Sequence, residues 1–236
     1  TIAFYASVKA QKVSPNKITA DNARRYRDSL KLKIFGTISF PYSILPDSVI
    51  TRVDTIEHYP DFPYTPIMYP AGNLDSIDKF VITVADNTVD FPEKLKVYLF
   101  HPHNSNGKLF IYHSGHCAGV ATSEDIVANG KGVGPGLVIP ALIEKGYTVL
   151  AVPTINYNAP IPIGYNCGYN RHDELFLDGH YTYPMALFFN PLIASLNQLG
   201  RQNFSDIYMT GLSGGGWMTS IYPAIDSSIS MSFPVA

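Results

Sequence analysis

The segment Gly211-Leu212-Ser213-Gly214-Gly215-Gly216-Trp217 carries the most specific chemical signal in the chain. It places Gly-x-Ser-x-Gly after a short apolar run, Ile207 to Met209, and before a helix-forming stretch, Gly214 to Tyr222. A strand that turns at once into a helix forces the central serine into a strained backbone conformation, and flanking glycines remove the Cβ atoms that would clash. The hydroxyl of Ser213 then projects above the sheet as a nucleophile. The helix that follows presents unpaired N–H groups and the positive end of its dipole, which favour an oxygen anion forming on an attacked carbonyl. The Gly214 N–H is one natural donor. The plainer alternative is a glycine-rich turn with an incidental serine, and the strand and helix on either side argue against it.

Other constellations carry less. His113, His116 and Cys117 lie close together, with His101 and His103 nearby, but His-x-x-His-Cys on a loop lacks a convincing fourth zinc ligand. No metal and no cofactor is expected. The run Gly130 to Gly136 lacks the Gly-Lys-Ser/Thr ending of a phosphate loop and reads as a loop ahead of a helix. The polar cluster Arg171, His172, Asp173, Glu174, Asp178 and His180 either borders a substrate mouth or is simply solvated. Asp226 falls at the amino end of the last strand, away from the carboxyl ends where ligands gather, and reads as a turn residue. Trp217 reads as core packing.

Positioning such a serine requires a sheet, and the pattern supplies one. Ser48 to Glu57 and Ile77 to Ala85 are rich in β-branched residues and predict strands, separated by a Pro- and Tyr-rich loop from Tyr59 to Pro70. Strands follow over Leu95 to Phe100 and Leu109 to Tyr112, then a helix over Leu137 to Lys145 closed by Gly146, then a buried strand over Tyr147 to Val152. After a long loop, Pro184 suits a first helical turn, and Leu187, Phe188, Leu192, Ile193, Leu196 and Leu199 recur at helical spacing up to Gly200, with Pro191 as a possible bend. A last strand is expected over Ile229 to Phe233. The alternation predicts an α/β fold with a mostly parallel central sheet flanked by helices. Residues 1–47 read as an N-terminal extension, with helix-like material around Asn22 to Lys31, and 48–236 as the α/β domain.

Composition narrows the partners. The 236 residues are 46% apolar, enough for a substantial core, and 17 basic against 19 acidic residues form no basic stripe for nucleic acid. No apolar run reaches the roughly 20 residues of a membrane span. Thr1 is not an initiator methionine, so a leader removed before it is one reading of the start. Cys117 and Cys167 permit one bridge or two free thiols, and Asn203-Phe204-Ser205 matches a glycosylation sequon. These features lean towards a secreted or periplasmic setting without fixing a compartment. Sixteen Tyr and thirteen Phe suit both core packing and a surface that stacks on sugars or other apolar ligands.

From about Glu93 to Ala236 the chain resembles the α/β-hydrolase superfamily, and its Gly-Leu-Ser-Gly-Gly-Gly-Trp segment resembles that of esterases and other acyl hydrolases. The resemblance implies a serine ester hydrolase working through an acyl-enzyme, on small acyl esters or acetyl esters of carbohydrates. It implies a second oxyanion donor from the loop His113 to Gly119, by position the backbone of His116 and then Cys117. Family members order their triad as Ser, then Asp or Glu, then His, whereas all seven histidines here precede Ser213. The expectation is therefore a C-terminally incomplete domain, inactive alone, whose base and acid come from a further C-terminal segment of the same protein. A serine peptidase of the same fold and a non-catalytic binding or assembly module are the alternatives.

Overall fold

The computed structural model describes residues 19–56, 65–66, 72–84, 94–115, 135–155 and 182–235. Its strands are β1 (Ser48–Ile50), β2 (Thr55–Ile56), β3 (Thr65–Pro66), β4 (Leu74–Thr83), β5 (Lys94–Pro102), β6 (Leu109–His113), β7 (Thr148–Val152), β8 (Ile207–Leu212) and β9 (Met231–Val235). Its helices are α1 (Ala20–Phe35), α2 (Pro135–Glu144), α3 (Pro184–Leu199) and α4 (Gly214–Ile225). The main sheet has seven strands in the order β1-β4-β5-β7-β6-β8-β9. The pairings from β7 to β9 are parallel and those from β1 to β7 antiparallel, so β4, β6, β7, β8 and β9 share one direction while β1 and β5 oppose it. The expected α/β sheet is thus mixed, with its parallel half on the side of the Gly-x-Ser-x-Gly segment.

Burial explains the elements. All five residues of β7 are buried, as a strand covered on both faces requires. On one face Ile139 and Ile143 of α2 pack with Tyr98, Phe100, Tyr112 and Val149. On the other, Leu192 and Leu196 of α3 and Met218 and Tyr222 of α4 pack with Ile111, Leu150 and Met209. Helix α1 begins at a capping box, where Asn22 Oδ1 accepts from the Thr19 N–H at 2.7 Å, and ends at Gly36. Its Ile34 enters the α3–α4 side of the core, and Arg27 Nε donates to the Ala224 carbonyl at 3.1 Å. Among the described residues no helix is long and apolar enough to cross a membrane.

Two sequence expectations change. The β-branched run Ser48 to Glu57 is two strands, not one: Arg52 takes a positive φ of 54° and its N–H donates to Asp78 Oδ1 at 3.0 Å, which breaks the run. β1 joins the main sheet, while β2 pairs with β3 in a separate ribbon, so the Pro- and Tyr-rich stretch expected as loop contains a short strand. The other elements lie within a few residues of their expected bounds.

The far end of α4 is anchored by charge. Asp226 is buried, and its carboxylate accepts from Arg201 Nε at 3.0 Å, Tyr222 OH at 2.8 Å and Ser228 Oγ at 2.7 Å. Burial pushes this carboxyl up, but the Arg201 charge and the hydrogen bonds from Ser228 and Tyr222 outweigh it and hold it below the ordinary aspartate value. Because the folded-state value is depressed, this contribution is fully present above the unfolded aspartate value, about 3.9, and is lost as pH falls through the folded one. Replacing Arg201 by Met should leave a buried carboxylate uncompensated and cost about 3–5 kcal/mol in urea unfolding at pH 7. The gap from wild type should narrow as pH falls from 7 to 3, because protonation relieves the buried carboxylate that has lost Arg201; an equal gap at both values would exclude the charge as its cause.

Candidate active site

Strand β6 is flanked by β7 on one side and β8 on the other. The chain crosses from β6 to β7 over one face and from β7 to β8 over the other, so the loops leaving β6 and β8 part at a point where the winding reverses. In open α/β sheets such a point, at the carboxyl ends of the strands, is where ligands bind. The loop after β6 begins His113-Ser114-Gly115, and β8 ends at Leu212-Ser213; the register pairs His113 with Gly211.

Ser213 stands at φ 56°, ψ −117°, and is exposed. For a residue with a Cβ this backbone is costly, on the order of 1–3 kcal/mol, and persists only where the surroundings impose it. Three contacts impose it here. A Cβ on Gly211 would strike the Gly215 carbonyl, and one on Gly215 would strike the His113 carbonyl, so the first turn of α4 lies directly on the ends of β8 and β6. The Ser213 N–H donates to the Val235 carbonyl at 2.9 Å, tying the bend to β9. Gly214 is the first residue of α4, at its positive end.

Gly115 completes the constellation, and sequence reasoning had not singled it out. A Cβ there would lie 2.6 Å from the Leu212 carbonyl and 3.2 Å from Ser213 Cβ. The chain leaving β6 therefore passes against the serine. Ser114, fully buried, sets that path: its carbonyl accepts from Thr154 Oγ1 at 2.6 Å, and its N–H donates to the Val152 carbonyl at 2.9 Å. The Ser-Gly step after an apolar strand was the available signal, but its neighbour is a residue 98 positions away.

The remaining candidates are spread out. His116 and Cys117, expected as oxyanion donors, lie outside the described residues, as do Cys167 and the polar cluster from Arg171 to His180. His113 is buried in β6, with Nδ1 3.0 Å from the Ser114 carbonyl; because a carbonyl only accepts, that nitrogen carries the proton. His101 and His103 lie at the end of β5, which runs against the parallel strands, so they sit at the opposite edge of the sheet from Ser213. There they pair with Asp78 at 2.9 Å and Asp75 at 3.4 Å. No three His, Cys, Asp or Glu side chains among the described residues group as metal ligands. Asp226, at the other end of α4, is about 20 Å from Ser213 along a helix of this length. Trp217, expected in the core, is 40% exposed.

The fold has counterparts among solved structures. A Bacteroides fragilis protein assigned as an acetyl xylan esterase superposes with a TM-score of 0.54 at 11% identity, over 88% of this chain and 50% of its own. The chain has an α/β-hydrolase fold. Acetyl xylan esterase 1 of Thermoanaerobacterium matches at 12% identity and a TM-score of 0.45, over 87% of this chain and 56% of that one. Candida antarctica lipase A matches at 14% identity and a TM-score of 0.45, over 79% and 40%. The chain spans about half the length of these structures. No family profile and no curated protein matches the sequence.

The hydrolase-fold bend predicts its own sensitivity. Gly215→Ala should lift α4 from the His113 carbonyl and cost about 1–3 kcal/mol by overpacking. Urea unfolding checks this, and wild-type stability in the variant would mean that the contact is not confining.

Proposed function

We propose that the protein is a serine ester hydrolase with Ser213 as nucleophile. The observation that carries the reading is the positive-φ backbone of Ser213 at the head of α4, beside Gly115. Strain of this kind at the carboxyl end of a sheet aims a hydroxyl outward, where an ester carbonyl can approach. The resemblance of the fold to the Bacteroides fragilis structure assigned as an acetyl xylan esterase supports small acyl or acetyl esters of carbohydrates as substrates.

In the proposed reaction Ser213 Oγ attacks the carbonyl carbon while its proton passes to a general base. The carbonyl π electrons move to the oxygen, where the Gly214 N–H and an N–H of the loop just after Gly115, at His116 or Cys117, stabilise the charge. Collapse expels the alcohol, which takes the proton from the base, and leaves Ser213 acylated. Water, deprotonated by the same base, then releases the acid. The reading assigns the base and its acid partner to a further C-terminal segment of the same protein. His101 and His103 are held at the far edge of the sheet, and His113 is buried within it.

A fluorophosphonate probe applied to the full protein should label Ser213, because only an activated serine reacts quickly. Ser213→Ala should abolish labelling and lower ester turnover by at least about a thousandfold. Labelling that persists in this variant would transfer the nucleophile elsewhere. No labelling of the wild type would favour a binding or assembly module, and turnover of peptide amides in preference to acetyl esters would favour a peptidase.

A further inference from the structure

Trp217 lies one helical turn beyond Ser213, and its backbone N–H donates to the Ser213 carbonyl at 3.1 Å. Side chains on a helix lean towards its N-terminus, so the indole covers the turn that begins at the serine. The three residues between them are glycines, and no side chain on α4 separates ring from hydroxyl. Phe189 is fully buried and nearly parallel to the indole, with centroids 6.2 Å apart at 21°. Phe188 meets it edge-on at 5.8 Å and 78°. Both belong to the second turn of α3, whose N-terminus also lies at the carboxyl end of the sheet. Two aromatic rings of α3 thus pack against the indole, yet 40% of Trp217 stays exposed.

We infer that Trp217 is the substrate platform of this site and that a pyranose ring of an acylated sugar stacks on its exposed part. The inference rests on the Ser213 reading and adds the part of the substrate that is recognised. An open, flat and rigid aromatic face suits a ring that is apolar on its C–H side and hydroxylated at its edge, because the hydroxyls stay in water. A long acyl chain calls instead for a concave pocket that encloses it. Trp217 acts by contact with the alcohol portion of the ester, so it sets affinity for the sugar and leaves the bond-breaking step to Ser213.

Trp217 is the sole tryptophan of the chain, so its emission reports the platform directly. The Ser213→Ala chain, which cannot be acylated at that position, is titrated with peracetylated methyl xyloside and, separately, with ethyl octanoate. The expected result is a saturable change in emission with the glycoside and none with the octanoate. No saturable change with the glycoside, or an equal change with the octanoate, overturns the inference. In the active protein, Trp217→Ala should raise KM for the glycoside ester about tenfold, with a much smaller change in kcat, and Trp217→Tyr should restore most of the loss. A fall in kcat at constant KM also overturns it. Because the titration needs no nucleophile, its failure with fluorophosphonate labelling intact removes the platform alone. A saturable titration without labelling removes the esterase reading alone.

Discussion

The close approach of the first turn of α4 to the ends of β6 and β8 governs the rest of the structure. Where Gly211 and Gly215 stand, any side chain would meet a backbone carbonyl, and the lack of one lets the helix axis come down onto the sheet. That descent leaves one residue to reverse the chain between β8 and α4, which is why Ser213 holds a backbone that serine rarely adopts. The strain is not relaxed locally because β9 grips the same residue through the Val235 carbonyl. A packing constraint between two glycines thus becomes the direction of a hydroxyl.

The helix is held at both ends by different physics. Its N-terminus is confined by backbone contact, its C-terminus by the buried Arg201–Asp226 pair and the hydroxyls of Tyr222 and Ser228. Arg201 also lies against Phe40 and Tyr42, at 5.2 and 5.5 Å from their ring centres, and its Nη1 donates to the Oδ1 of Asn197, whose Nδ2 donates to the Pro41 and Ile44 carbonyls. The segment following α1 is in this way clasped to the same guanidinium that anchors α4. Residues at the start of the chain therefore contribute to holding a helix whose other end carries the serine.

What could be read from the sequence was whatever is local. Gly-x-Ser-x-Gly between a strand and a helix announces its own geometry within a dozen residues, and Pro184, Gly146 and Gly200 punctuate the helices where expected. Gly115 could not be placed beside Ser213, because their proximity follows from the β6–β8 register and not from spacing. Strand direction was equally hidden: side-chain periodicity is the same in β5 as in β7, though the two run oppositely. The break at Arg52 depends on Asp78, in another strand, and the β-branched residues on either side masked it. Trp217 shows the remaining limit, since an aromatic on an apolar helix reads as core whether one face or both are covered.

The order of strands has a consequence for biosynthesis. β6 sits between β7 and β8, yet Ile207, which pairs with Leu109, follows it by 98 residues. At about 5–20 residues per second, a ribosome leaves one edge of β6 without its parallel neighbour for roughly 5 to 20 seconds. During that interval an apolar central strand is exposed to other nascent chains, and demand for a chaperone should peak then.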